Sequence, residues 1–336
     1  MGRSARRTAK MLSITLADPV TEACSRQDAC PLCQHDHAII VAEKDRHGLP
    51  LRTQVCKNCG FVYSGNFISG SFATEYYATT SNAFKFDGRT KEETFALRTR
   101  PQAYAWGRQN WIKETLGESY AQIKTVIEAG CADGSNLLPY HAEGKKVFGA
   151  DYDMDRLSSG RNAGMDLDAG DLESLASDGK MADLLILSHC VEHMSDVDLA
   201  FRQAAEIIGE QGYLYVEVPG IRGLIRPQSE CEIVDGYGAS NDLLGYLQVE
   251  HNFCFDLTTL SAFAERNGLR RIAGDEIVRA IFVVDANQPV KPSALESGST
   301  VVNRLETIER DYLKRNPPLK RLARRVVHMV KSQLRG

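Results

Sequence analysis

Two cysteine pairs near the start of the chain are the residues whose type and spacing most directly suggest chemistry. Cys30-Pro31-Leu32-Cys33 and Cys56-Lys57-Asn58-Cys59 are CxxC knuckles with 22 residues between them. Four thiolates suit tetrahedral Zn²⁺, and the two-residue gap lets each pair grip one edge of the tetrahedron. Gly60 follows the second knuckle and permits a backbone turn toward the sulfurs. Only about 35 residues lie here, too few for an independent core, so the metal would supply the folding energy. The spacing predicts a structural zinc ribbon over 28–62. A redox pair would open the helix of a βαβ unit, and neither pair does so. Cys131, Cys190 and Cys254 are expected to be small buried residues, and His35, His37 and His47 solvated loop residues.

A second constellation lies a hundred residues on. An apolar run, Thr125 to Ala129, leads into Gly130-Cys131-Ala132-Asp133-Gly134 and then a helical pattern. Glycines in such a turn allow positive φ and let backbone approach a ligand. The dinucleotide fingerprint GxGxxG is not met, because Ala132 stands where its second glycine belongs, so pyrophosphate is disfavoured. Glu128, at the end of the run, would also repel phosphate, yet could neighbour an amine or a sulfonium. The next apolar run ends in Gly149-Ala150-Asp151, and a carboxylate there can accept from both hydroxyls of a ribose. The combination suits a cationic nucleoside without phosphate.

These residues need a scaffold at their backs, and the hydrophobic pattern supplies one. From 122 to 286 short apolar runs alternate with helical patterns, the mark of a parallel sheet covered by helices. The strands are expected at 125–129, 146–150, 165–169, 182–188 and 213–218. A tight antiparallel pair at 271–277 and 280–285 would form an edge of the sheet. The run Leu184-Leu185-Ile186-Leu187 reads as a central strand buried on both faces. Ser195 is expected to cap the helix after it, with Asp198 three residues on, and Asp256 to cap the helix that carries Leu260 and Phe263. A helix is expected over 89–117.

The domain plan is a mobile basic arm at 1–27, the ribbon at 28–62, a linker with a helix at 63–118, the sheet domain at 119–290 and a basic helical tail at 291–336. An insertion at 221–249 interrupts the sheet domain and is expected to act as a lid. The chain has 336 residues and a net charge of −4. That figure averages two unlike parts. Arg3, Arg6, Arg7 and Lys10 make the first ten residues basic with no acid, and eight basic residues with no acid fall in 312–336, leaving −16 between them. An acidic body does not suit a domain that wraps nucleic acid. The tail places Leu319, Leu322, Val326, Val330 and Leu334 on one stripe, able to dock on the body, on a second subunit or on an anionic membrane surface. No stretch reaches the ~20 apolar residues of a membrane span, and nine cysteines without a secretory signal point to a reducing cytoplasm.

Taken in order, the motifs resemble those of class I S-adenosylmethionine-dependent methyltransferases. Val126 to Gly134 resembles the first motif, Gly149-Ala150-Asp151 the ribose-binding acid, and Gly170-Asp171-Leu172 the adenine-contacting loop. Asp183 to His189 with Val191-Glu192-His193 resembles the fourth-strand motif, and Tyr213 to Pro219 the fifth strand. Glu250-His251-Asn252-Phe253, then Phe255 and Leu260, resembles a late motif of one broad subgroup. The resemblance covers about 120–286 and implies a Rossmann-like α/β fold with a seven-stranded sheet. It implies a donor site at Glu128, Gly130, Ala132, Gly134, Asp151, Tyr152, Asp171, Leu172, Ser188 and His189.

With the zinc ribbon ahead of it, the chain is similar to bacterial sugar methyltransferases, including C-methyltransferases of nucleotide-linked deoxysugars. That similarity implies a sugar or glycan acceptor, S-adenosylmethionine and structural Zn²⁺ as cofactors, and His251 as base with Glu250 orienting it and His193 near the acceptor. Tyr76 and Tyr77 in the linker are further acceptor-side candidates. A homo-oligomer and a peripheral membrane contact through the tail are the partners expected besides the acceptor. Two other classes stand against this reading. A nicotinamide oxidoreductase is disfavoured by the missing GxGxxG, and a non-catalytic zinc-ribbon adaptor would bind nucleic acid through the basic ends.

Overall fold

The computed structural model describes residues 24–46, 50–68, 91–221, 243–285 and 294–315. The basic arm up to residue 23, Tyr76 and Tyr77, most of the insertion (222–242) and the apolar stripe of the tail beyond 315 lie outside the described residues.

Seven strands form the central sheet: β6 (Thr125–Ala129), β7 (Lys146–Asp151), β8 (Asp166–Ala169), β9 (Leu184–Ser188), β10 (Tyr213–Glu217), β12 (Leu269–Asp275) and β13 (Arg279–Val284). Their order is β12-β13-β10-β9-β6-β7-β8. The five central strands pair in parallel, and β13 and β12 are antiparallel to their neighbours. The chain reverses its direction of travel across the sheet between β6 and β9. In such sheets ligands sit there, beyond the carboxyl ends of the strands. Every residue of β9 is buried, as its unbroken apolar run requires of a strand covered on both faces.

Short helices cover the sheet. They include α2 (Leu138–Ala142), α3 (Met154–Asn162), α4 (Leu172–Ser177), α5 (Val197–Ile208) and α7 (Leu257–Arg266). Asp256 caps α7 in a reciprocal box with Thr259. Asp196, not Ser195, caps α5, its carboxylate accepting from the Leu199 N–H at 2.8 Å. A carboxylate at an N-cap adds a favourable charge at the positive helix end, which a hydroxyl does not. The late hairpin is also displaced from the expected 271–277 and 280–285, because Asp275 accepts from the Ile277 N–H and from the Arg279 guanidinium and so builds the turn earlier.

The amino-terminal module is joined to this core rather than strung ahead of it. Its strands β2 (Ala38–Lys44), β3 (Pro50–Cys56) and β4 (Val62–Ser64) form an antiparallel sheet whose fourth strand is β11 (Phe253–Cys254), from far along the chain. Phe61 packs against Phe253, Phe255 and Phe263 with ring centroids 5.2–5.8 Å apart, so one aromatic cluster serves both parts. A short pair, β1 (Cys24–Arg26) with β5 (Asn66–Ile68), closes the module. Two helices flank the whole: α1 (Lys91–Leu116), and α8 (Gly298–Arg315), which buries Val301, Leu305 and Ile308 against Leu51 and Val55 of β3. α8 and the short α6 (Leu243–Tyr246) border a cavity of about 700 Å³ with β2, which shares no lining residue with the carboxyl edge of the central sheet. Among the described residues no helix is long and apolar enough to cross a membrane.

Candidate active site and metal centre

The four knuckle cysteines converge. Cys30 and Cys59 sulfurs lie 3.6 Å apart and those of Cys33 and Cys56 3.5 Å, and all four fall within 4.8 Å of one another. A disulfide would need about 2.05 Å. A tetrahedron with Zn–S bonds of about 2.3 Å has sulfurs roughly 3.8 Å apart, so the donor set fits Zn²⁺. The Cys30 thiol holds Cys59 below the ordinary thiol range by donating to it, while the same contact pushes Cys30 up and burial pushes Cys56 up to about 11. Tight turns shape each knuckle: Gln34 N–H donates to the Cys30 carbonyl and Gly60 N–H to the Cys56 carbonyl. Gly60 has φ +68° with Val301 2.7 Å from where a Cβ would sit, so both its handedness and its space demand glycine. Arg266 of α7 donates to the carbonyls of Pro31 and Leu32, clamping the first knuckle to the core. His35 and His37 are not in the cluster.

At the sheet's switch point, β6 runs into a loop in which Gly130, Ala132 and Gly134 have φ of 74°, 53° and 75°. Ala132 thus adopts the left-handed conformation of the glycine it replaces, at a cost of roughly 1–2 kcal/mol. Its N–H donates to Asp151 Oδ2 at 2.8 Å, while Asp151 Oδ1 accepts from the Asp153 N–H at 2.9 Å. The carboxylate is therefore fixed at the end of β7 with lone pairs to spare for hydroxyls. Asp171 caps α4 and also accepts from the Tyr152 hydroxyl, which ties the loops after β7 and β8 together. Leu172 is buried behind them, and Ser188 ends β9.

Glu128 is only 1% exposed. Asn136 Nδ2 donates to its Oε1 at 2.6 Å, and its Oε2 is buried without a partner. Burial pushes this carboxyl up to about 8, against the opposing pull of Asn136 and Arg108. An unpartnered buried oxygen beside a glycine turn is what a site for an amine or sulfonium should present. The shift carries a sign. The folded protein keeps a proton that the unfolded chain releases above the usual 4.5, so this group's contribution to stability is complete below pH 4.5 and is lost as pH rises through about 8. Glu128→Gln is therefore expected to gain on wild type by up to about 4 kcal/mol between pH 5 and pH 9 in unliganded protein. Denaturant titrations across that range would show it, and parallel wild-type and variant curves would refute it.

Behind Glu128 runs a chain of charge that spacing had not signalled. Arg108 of α1 donates Nε and Nη2 to the buried Glu217 at 2.5 and 2.9 Å, and Nη1 to Asn136 Oδ1 at 3.0 Å. Tyr215 also donates to Glu217, at 2.5 Å. Burial opposes ionisation of Glu217, but Arg108 outweighs it and holds the carboxyl well below its ordinary range.

The histidines gather beyond β9. His189 has φ 55° and places Nε2 3.4 Å from Glu217 and Nδ1 3.6 Å from Glu192. Burial lowers His189, yet these two carboxylates prevail and raise it to about 9. His193 and His251 meet edge to face with centroids 4.9 Å apart. The Glu192 carboxylate lies within reach of both, and the Glu250 main-chain carbonyl is 2.9 Å from His193 Nδ1. Burial, then His193, pushes His251 down to about 3, so its ring is neutral near pH 7. Glu192, Arg108 and Asn136 are functional candidates that the sequence reading passed over. Glu192 alone left a trace there, as part of the Val191-Glu192-His193 motif.

A family model described as a methyltransferase domain matches residues 98–273. A ubiquinone biosynthesis O-methyltransferase of Chelativorans sp. (strain BNC1) is 29% identical over 97 residues, 27% of this chain and 38% of the relative. The chain thus spans well under half the length of that relative. Among solved structures, magnesium protoporphyrin IX methyltransferase from Synechocystis PCC 6803 with bound S-adenosylhomocysteine aligns with 64% of this chain and 99% of its own, at TM-score 0.43 and 15% identity. A methyltransferase from Archaeoglobus fulgidus aligns with 66% and 92%, at TM-score 0.40 and 17% identity.

Proposed function

The chain belongs to the methyltransferase-domain family, and from that premise we propose that it transfers the methyl group of S-adenosylmethionine to a sugar or glycan-type acceptor. One observation carries the reading. The donor-type loop and the Glu192–His193–His251 cluster share the carboxyl edge of the sheet, and a Cβ on Gly130 would sit 3.2 Å from Cys190, two residues before Glu192. The residues fit the donor: Glu128 offers a buried free oxygen to its cationic end, and Asp151 offers an oriented carboxylate to its ribose. The bound sulfonium supplies an activated methyl group for in-line displacement. The chain's part is to align the acceptor with it, exclude water and take the acceptor's proton. His251 is the proposed base, with His193 beside it and Glu192, ahead of Glu250, as the nearby negative charge. The ribbon, fused to the core through β11, holds the segment that carries His251.

A second reading differs in the acceptor alone. The curated relative is named for an O-methyltransferase of ubiquinone biosynthesis, which favours a phenol-type hydroxyl and uses the same donor site and base.

Titration calorimetry with S-adenosylmethionine tests the donor site. Binding is expected, with loss of at least about tenfold in affinity in Asp151→Ala. No binding by the zinc-loaded protein would end the reading. Labelled donor offered to a panel of nucleotide sugars, glycans and phenols then separates the acceptors by product mass. His251→Ala is expected to lower turnover by about 10²–10⁴-fold with donor affinity preserved. Collapse of donor affinity instead would remove His251 from the acceptor side.

A further inference from the structure

We propose that Glu192, His193 and His251 form a second metal site, separate from the four cysteines, that binds one divalent transition-metal ion. Three observations support it. One oxygen or nitrogen from each of the three residues lies within 4.8 Å of the others. Glu192 is 1% exposed and neither of its carboxylate oxygens has a hydrogen-bond partner; His251 is 6% exposed and its Nδ1 has none either. A buried carboxylate and a buried imidazole nitrogen left without hydrogen bonds are each costly unless something binds them. Finally, His193 is already set as a ligand. The Glu250 carbonyl lies 2.9 Å from Nδ1, and Nε2, the other ring nitrogen, lies 3.7 Å from Glu192 Oε1. Metal-bound histidines characteristically spend their other nitrogen in this way.

The fit needs a small contraction. Two atoms in one shell with bonds of about 2.1 Å lie roughly 3.0–3.4 Å apart. Asn252 Nδ2 donates to the carbonyls of His193 and Met194 at 3.0 and 3.1 Å, which holds the backbone of that turn and leaves the contraction to the side chains. The bland alternative is that His189 alone balances Glu192. His189, raised to about 9 between Glu192 and Glu217, gives Glu192 a counter-charge at 3.6 Å, but it is beyond hydrogen-bond reach and leaves Glu192 Oε2 and His251 Nδ1 without a partner.

Two imidazoles and one carboxylate suit ions of borderline softness such as Zn²⁺, Co²⁺ or Fe²⁺, and three protein ligands leave positions open to a small molecule. The binding stands independently of methyl transfer. Polarisation of an acceptor oxygen by the ion rests on the proposed function; His251 acts as base in the metal-free chain and as a ligand in the loaded one.

The test uses the full chain with zinc at its cysteines, titrated with Co²⁺ and followed by visible absorption and by metal content after dialysis. One Co²⁺ per chain is expected beyond the zinc, without the intense thiolate charge-transfer bands of a cysteine site. Glu192→Gln and His251→Gln should each weaken that uptake by about tenfold or more while keeping their zinc and their binding of S-adenosylmethionine. His193→Gln serves in place of either variant that fails to keep its zinc. No Co²⁺ beyond the zinc, Co²⁺ seen only through thiolate bands, or uptake unchanged in the variants would each overturn the site. Since none of these readouts requires turnover, a failed metal site and a failed methyltransferase reading give different results.

Discussion

Cys56→Ser is expected to abolish zinc binding and unfold more than the ribbon. Elemental analysis of the wild-type chain should find close to one zinc at the cysteines, and the variant should lose it. Structural zinc contributes on the order of 10–16 kcal/mol in small modules at neutral pH, comparable to the whole net stability of about 5–15 kcal/mol of a typical domain. In this chain the loss cannot stay local. The Cys56 carbonyl accepts from Gly60, and the Lys57 carbonyl accepts from Gly298 at the start of α8, whose Cα is packed so closely that a Cβ would lie 2.4 Å from the Cys56 carbonyl oxygen. β3, which ends at Cys56, also pairs with β4, which in turn pairs with β11. Freed of metal, the knuckle should release α8, the four-stranded sheet and the segment that carries His251. Limited proteolysis is expected to cut within 24–68 and after residue 285 in the variant, and donor binding at the far strand edge should weaken less than turnover. A Cys56→Ser chain that keeps its zinc, or loses it with no change in proteolysis, would contradict this account.

The second large effect is expected at Arg108. Removing one partner of a buried ion pair leaves the other charge uncompensated, at a cost of about 3–5 kcal/mol. Glu217 is 3% exposed, and its ionised state depends on Arg108. Arg108→Ala should therefore destabilise the chain by that amount in denaturant unfolding. The loss should shrink when Glu217→Gln is added, because the orphaned charge is then gone. If the single and double variants are equally unstable, the cost is lost packing and not charge. The same substitution frees Asn136, whose Oδ1 accepts from Arg108 while its Nδ2 holds Glu128. Donor affinity should fall as well, although Arg108 need not touch the donor.

Much of the scaffold was legible because its signals are local. The alternation of apolar runs and helical patterns located the strands from Thr125 to Glu217 within a residue or two, since a strand buried on both faces must be apolar throughout. CxxC spacing announced the cysteine cluster because two residues between ligands is a chain-geometry requirement. Where two local signals competed, the reading failed. Ser195 and Asp196 are adjacent and both can cap a helix, and only the packed helix shows that the carboxylate accepts from Leu199.

The candidate site was legible in half. Its donor side is read from one continuous turn and the ends of successive strands, so neighbours in sequence are neighbours in space. Its other side is assembled from distant segments. Glu192 and His251 are 59 residues apart, Arg108 and Glu217 109. Glu250, next to His251 in the chain, brings its main-chain carbonyl to His193, while the carboxylate of Glu192, which joins the two imidazoles, comes from the turn after β9.

The sequence by itself determined the sheet, the cysteine quartet and the donor-type loop, since each follows from spacing, periodicity or a backbone conformation encoded within a few residues. Only the tertiary structure decided that the ribbon shares a strand and an aromatic core with the sheet domain, that Arg108 anchors Glu217, and that Glu192 faces His193 and His251. These contacts close long loops. Their partners are chosen by how whole layers pack and bury charge, and no local pattern carries that choice.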